Sequence, residues 1–307
     1  MNNQVAFDSA APPRVPSFLV LCINYDSDEE TTEFLGYFQR LPIELSLSVI
    51  LIDNTQREGG ESPPFADSGR VSVVQPPDNL GYLGGARYGL SRYLKDRELP
   101  DWVLISNADM IIRDPDFFAH LSRLALPGVA AVAPHIRSLS SGHDQNPYMR
   151  HRPSALRMHI YKWVYRSRVL LNLTEGLAAI LRKLRTHFTR AAGWVGLSGR
   201  LTHGSNPPSM TESESIYAPH GSFLILSKEY FVRGGNLDFP YFLFGEEIYI
   251  AETIRRLGLG VVHHPELEVF HHEHRSTRLF KSSKLAADVA FSAAYCADEF
   301  FPWSARR

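Results

Sequence analysis

Cysteine is almost absent. Cys22 and Cys296 are the two thiols in 307 residues. They are too few and too far apart for a disulfide framework or a zinc site, and they fit a reducing cytosol. Long apolar runs are missing as well: none reaches the roughly 18 residues that crossing a bilayer requires. Residues 1–16 carry neither the basic nor the apolar block of a secretory signal and read as a flexible, proline-containing tail. Charge of one sign does not dominate either. The 32 Lys and Arg nearly cancel the 33 Asp and Glu, so net charge singles out no partner class. No base-reading module accompanies the basic residues, and nucleic acid is not an expected partner.

What is present is a β–α alternation. Residues 17–24, 47–52, 71–74, 102–106 and 129–134 form short apolar runs bounded by turn residues, the pattern of buried strands. Between them, helices are predicted from Asp26–Glu30 to about Arg40, from Gly84 to about Lys95, and from Pro115 to Leu124. This alternation predicts an α/β fold whose mostly parallel sheet is covered by helices. The last third returns to the same pattern. It holds a strand over 222–226, a helix over 246–257 stopped by Gly258, short strands at 261–262 and 267–270, and a closing helix over 282–300.

Residues 150–200 differ. They carry eleven Lys or Arg and one acid, Glu175, among aromatic residues such as Trp163 and Trp194. Two readings stand. A basic, aromatic-flanked helical segment suits an anionic membrane surface, and it equally suits a solvated insertion that packs on its own domain.

Polar residues recur at the ends of the predicted strands. Asn24-Tyr25 ends the first. Asp53-Asn54 ends the second, where a carboxylate can accept hydrogen bonds from a base or ribose, or can simply make an Asx turn. Asn79-Leu-Gly81-Tyr82-Leu-Gly84-Gly85 lets backbone approach a ligand at a helix start, with Arg87 in the first turn. It is neither a G-x-G-x-x-G fingerprint nor a Walker loop, and a tight turn with a surface Arg fits equally well. Asn107-Ala-Asp109 follows the fourth strand. An Asp there suits Mg²⁺ or Mn²⁺, which want oxygen ligands, or a helix cap. Glu246-Glu247 opens a helix after an aromatic run. Acids are favoured there structurally, and paired carboxylates beside aromatics also make a candidate general base. His263, His264, His271, His272 and His274 crowd twelve residues. Strand alternation places His272 and His274 on one face and His271 on the other, so three imidazoles do not converge as zinc would need. In open α/β sheets ligands bind at the carboxyl ends of the strands, so these motifs in this order describe one site built from many loops.

Together these residues resemble a family 2 glycosyltransferase of the GT-A fold, of the rhamnosyltransferase-like kind that builds bacterial surface polysaccharides. The resemblance spans about residues 17–275 and is interrupted by the basic insertion. It implies a Rossmann-like central sheet and a nucleotide-sugar-binding half over 17–135. A basic, mainly helical insertion follows over 136–215, then an acceptor half over 216–307. By this resemblance Asn24, Asp53, Asn54, Asn79, Gly81, Gly84, Gly85, Arg87 and Asn107 bind the nucleotide donor. Asp109 and His271 hold a divalent metal, Mn²⁺ or Mg²⁺. Glu247 is the catalytic base, with Glu246 beside it. Asn107 stands where the family has the first Asp of its Asp-x-Asp, Arg87 where Asn is common, and Glu247 where the family has Asp.

The reaction so implied is inverting transfer of a sugar from a nucleotide-diphosphate donor to a saccharide acceptor, polyprenyl-linked or free. The expected setting is the cytoplasm, with a peripheral contact on the inner membrane leaflet through 150–200. A silent sugar-nucleotide binder or assembly subunit is the alternative, motivated by the reduced metal motif. A sugar-nucleotide pyrophosphorylase shares the architecture but would need an N-terminal Gly-rich loop followed by Lys, which this chain lacks.

Overall fold

The computed structural model describes residues 15–57, 63–124, 126–166, 213–272 and 283–303. The expected tail through residue 14, most of the basic insertion, and His274 lie outside the described residues.

Strands β1 (Phe18–Asn24), β2 (Leu47–Asp53), β3 (Val71–Val74) and β4 (Trp102–Asn107) pair in parallel in the order β3-β2-β1-β4. Strands β1, β2 and β4 are largely buried and apolar on both faces because helices cover both, while the edge strand β3 is partly exposed. Leu19, Leu21 and Ile23 of β1 face one core, while Phe18, Val20 and Cys22 face the other. The second core is filled by helix α1 (Asp28–Gln39) and helix α3 (Phe117–Ser122), where Phe34, Phe38 and Phe118 meet edge to face or tilted. Helix α2 (Gly81–Tyr93) packs on the first core through Leu83, Ala86 and Leu90. Gly89 is the close-approach point: a Cβ there would lie 2.7 Å from Ile52 Cδ1.

Beyond β4 the pairing becomes mixed. Strand β8 (Phe223–Ser227) inserts antiparallel between β4 and β6 (Val129–Ser138). Strand β9 (Gly260–His271) runs parallel to β6. It is one strand rather than the two short ones the sequence predicts. His264 faces Pro134 while Glu268 faces His135, so residues 265–267 are set out of register and Pro265 is accommodated in an irregularity. The two-residue β5 (Met110–Ile111) pairs antiparallel with the end of β9, and β7 (Glu214–Ile216) pairs with its start.

Four more helices complete the described residues: α4 (Ala155–Arg166), α5 (Lys228–Val232), α6 (Glu246–Arg256) and α7 (Ser283–Phe300). A buried ion cluster locks α6 to its neighbours. Glu252 is fully buried and accepts from Arg152 at 2.6 Å, from Tyr217 at 2.8 Å and from Arg255 at 2.9 Å. Burial pushes its carboxyl up, but these hydrogen bonds outweigh burial and hold it below its ordinary value. Arg152 also donates to the Phe300 carbonyl and lies over the Phe301 ring. None of the described helices is long and apolar enough to cross a membrane.

Candidate active site

Strand order turns back between β1 and β4, so their carboxyl ends open a crevice. Asn24, Asp53 and Asn107 close β1, β2 and β4 at that edge. Asn24 and Asp53 are buried, and their side chains are hydrogen-bonded to each other and to neighbouring residues of the protein. Asn24 Nδ2 donates to Asp53 Oδ1 at 3.0 Å, and the Thr55 amide donates to the same oxygen at 3.1 Å. Arg57 takes the other oxygen at 3.1 Å and holds Asp28 with two bonds of 3.0 Å. Beside Arg57 the carboxyl of Asp28 sits below its ordinary value. Both oxygens of Asp53 are thus occupied within the protein, one of them by a cation. Motif reading missed Arg57, although a cation four residues past a strand-end Asp was a usable signal.

Asn54 is buried too, and its amide donates to the Gly81 carbonyl at 2.9 Å. Asn79 Oδ1 accepts the Gly81 amide at 3.0 Å. These two bonds hold the turn, so helix α2 begins at Gly81, three residues before the position the glycines suggested. Gly81 is required in two ways. Its φ is +72°, and a Cβ would collide with the Phe242 carbonyl. Gly84 and Gly85 let the helix start sit against Leu80 and Asn54. Arg87 pairs with Asp238 at 3.1 Å on the surface, at the rim of an open hollow walled by Phe239 and Phe242.

Pairing of β5 with β9 sets Asp109 against His271. Met110 registers with His271, and the His272 amide donates to the Asp109 carbonyl at 3.0 Å. Across this pair His271 Nε2 lies 3.2 Å from Asp109 Oδ2. The other oxygen, Oδ1, is buried with no hydrogen-bond partner among the described residues. His271 Nδ1 lies 2.7 Å from Gln145 Oε1. His272 turns away, to Glu33 at 3.4 Å, as strand alternation predicts. Asn107 is half-buried, and its amide donates to the Ser222 carbonyl at 3.0 Å. Among the described residues no three His, Cys, Asp or Glu cluster as metal ligands.

Glu246 and Glu247 occupy the first turn of α6, behind a strained turn. Phe244 has φ +67° and Gly245 +98°. Ser292 of α7 donates to the Phe244 carbonyl, and a Cβ on Gly245 would meet Ser292 and Cys296. The closing helix therefore fixes where α6 begins. Glu246 is buried, while Glu247 is partly exposed. Burial pushes the Glu246 carboxyl up to about 8, and the Glu247 charge adds to it. Burial also raises Glu247, against the bond from the Gly221 amide. The Tyr148 ring stands edge-on to His220 with centroids 5.3 Å apart, and its phenol is raised by the Glu247 charge first and burial second.

One chain of contacts joins the two groups of acids. Gly221 donates to Glu247 at 3.3 Å, and its neighbour His220 stands edge-on to His271, with ring centroids 6.2 Å apart. Gln145, Tyr148 and His220 carried no signal in sequence, because their positions depend on contacts with residues far along the chain.

The chain is similar to proteins of known structure or activity. Over 293 residues the chain is 24% identical to the N-acetylglucosaminyl-diphospho-decaprenol L-rhamnosyltransferase of two Mycobacterium tuberculosis strains, covering 92% of this chain and 85% of that protein. GalNAc-T7, solved with UDP, GalNAc and Mn²⁺, superposes with a TM-score of 0.53 at 13% identity, over 93% of this chain and 50% of that one. The fold is GT-A. The resemblance to family 2 glycosyltransferases therefore stands on sequence and on architecture. No protein-family model matches the chain.

Proposed function

We propose that this GT-A protein is an inverting glycosyltransferase that moves a sugar from a nucleotide-diphosphate donor to a saccharide acceptor. The observation that carries the reading is Glu247: a reachable carboxylate of raised pKa, held at a helix start and linked through Gly221 and His220 to the Asp109–His271 pair. The donor nucleotide lies along the strand ends. Arg57, fixed by Asp53 and Asp28, faces the nucleoside, and the Gly81 turn offers backbone close to the diphosphate. Asn79, Asn54, Gly84 and Gly85 shape that turn.

The Asp109–His271 pair fits a divalent ion. Asp109 Oδ1 is a buried oxygen without a partner among the described residues, and the neighbouring His271 imidazole nitrogen is a second ligand for such an ion. Such an ion, when bound, neutralises charge on the diphosphate leaving group. The chain's own step belongs to Glu247. Its carboxylate takes the proton of the acceptor hydroxyl. The hydroxyl oxygen bonds to the anomeric carbon from the face opposite the diphosphate, and the carbon–oxygen bond to the diphosphate breaks. One displacement inverts the centre and releases nucleoside diphosphate. Glu246, protonated up to about 8, leaves the negative charge of the pair on Glu247.

By likeness to the mycobacterial rhamnosyltransferase, the acceptor is a saccharide carried on polyprenyl diphosphate. A contact with the inner leaflet through 150–200 suits such an acceptor. It is supported by α4, the described part of that segment, which exposes Leu156, Ile160 and Trp163.

Glu247→Gln tests the assignment. The amide keeps the shape and removes the base, so turnover falls about 10²–10⁴-fold while donor binding measured by calorimetry is unchanged. Near-normal turnover in this variant would sink the assignment.

A further inference from the structure

We propose that Gln145 is the positioning residue of the Asp109–His271 pair: its side-chain carbonyl accepts the Nδ1 proton of His271 and so turns an unprotonated Nε2 toward Asp109. The inference rests on the reading of that pair as the holder of a divalent ion.

Two distances carry it. His271 Nδ1 is 2.7 Å from Gln145 Oε1, and His271 Nε2 is 3.2 Å from Asp109 Oδ2. A neutral imidazole has one N–H to give. If the Gln145 carbonyl takes it, Nε2 faces the carboxylate with a lone pair. Two facing acceptors repel until a cation comes between them. Asp109 Oδ1, buried and without a hydrogen-bond partner among the described residues, is a further oxygen of the same carboxylate that a cation could take.

Gln145 is placed to do this rigidly. Its backbone N–H donates to the Ile136 carbonyl at 2.8 Å, and Asp144 before it bridges to Arg137. Asn146 after it donates to the Pro134 carbonyl at 2.9 Å and accepts the His220 amide at 2.8 Å. The residues flanking Gln145 on both sides are thus bonded to β6, and β6 runs beside β9, which carries His271. Metal-ligating imidazoles commonly donate their second N–H to such a carbonyl, and losing that partner weakens metal affinity about 10–100-fold.

The reverse arrangement has a different signature. If the Gln145 amide donated to Nδ1, the ring proton would sit on Nε2 and His271–Asp109 would be an ordinary hydrogen bond. Imidazole ¹⁵N NMR of the metal-free protein, at a pH where the ring is neutral, separates the two without any variant. Expected is the Nδ1–H tautomer in the wild type, a loss of that preference in Gln145→Leu, and its return in Gln145→Glu, which keeps the acceptor. Titration with Mn²⁺ alone, followed by electron paramagnetic resonance, should show affinity about 10–100-fold weaker in Gln145→Leu and restored in Gln145→Glu. An Nε2–H tautomer in the wild type, or Gln145→Leu binding Mn²⁺ like the wild type, would overturn the proposal. Wild-type protein that binds no Mn²⁺ yet holds the Nδ1–H tautomer would remove the metal from the proposed function and leave the positioning of the ring supported.

Discussion

The backbone amide of Gly221 donates to Oε1 of Glu247 at 3.3 Å, and the α-carbon of Gly221 faces the same carboxylate so closely that a Cβ would lie 2.7 Å from that oxygen. The contact is with the end of a flexible side chain, not with backbone. Replacing the missing hydrogen by a methyl therefore moves the carboxylate and leaves the fold alone.

Gly221→Ala should accordingly separate stability from activity. The unfolding free energy should fall by no more than about 1–3 kcal/mol, the cost of an extra methyl in a packed site, which leaves the protein folded. Turnover should fall about 10²-fold, the size of effect that a misplacement of around 1 Å produces at a reacting centre. Urea unfolding and a product assay on the same preparation check this. Equal loss of stability and activity would mean that Gly221 supports the fold rather than the base.

The outline of this site was legible in sequence because strand ends announce themselves. Asn24, Asp53 and Asn107 follow apolar runs directly, and each closes a strand at the same sheet edge. Asp109 and His271 were legible as a pair through the family resemblance, and β5–β9 pairing brings them within 3.2 Å. The functional partners of these residues were not legible. Gln145 reaches His271 across 126 positions, and Gly221 reaches Glu247 because β8 enters the sheet antiparallel. Neither fact leaves a periodic trace. Buried Asp53 shows the opposite limit: the type of residue was legible, but not that Arg57 occupies its free oxygen.

Glu246 should leave a mark on stability as well as on catalysis. Its folded carboxyl is raised from 4.5 to about 8, first by burial and then by Glu247. A raised acid favours the folded state while it stays protonated, so this contribution is full below about 4.5 and is lost as pH rises toward about 8. Between pH 5 and 8 the wild type should lose on the order of 2–4 kcal/mol that Glu246→Gln retains, at about 1.4 kcal/mol per pKa unit with allowance for relaxation of the pair. Urea titrations of both proteins across that range give the comparison. Parallel stability curves would show that Glu246 ionises normally.

The exposed face of α4 makes the membrane reading testable apart from the chemistry. Leu156, Ile160 and Trp163 stand at i, i+4 and i+7, so they form one stripe, and they are 59%, 50% and 62% exposed. Arg157 and Arg166 flank the stripe in sequence on the same helix, and the guanidinium of Arg157 is held on Tyr161, to whose hydroxyl it donates at 2.8 Å. Changing all three apolar residues to Ser touches no core packing, so folding and hydrolysis of a soluble donor should be unchanged. Flotation with anionic vesicles should weaken at least about tenfold, since burying one such side chain is worth about 1.5–3 kcal/mol. Zwitterionic vesicles should bind the wild type more weakly than anionic ones, and added salt should narrow that gap. If the triple variant floats with anionic vesicles as the wild type does, α4 is not the contact.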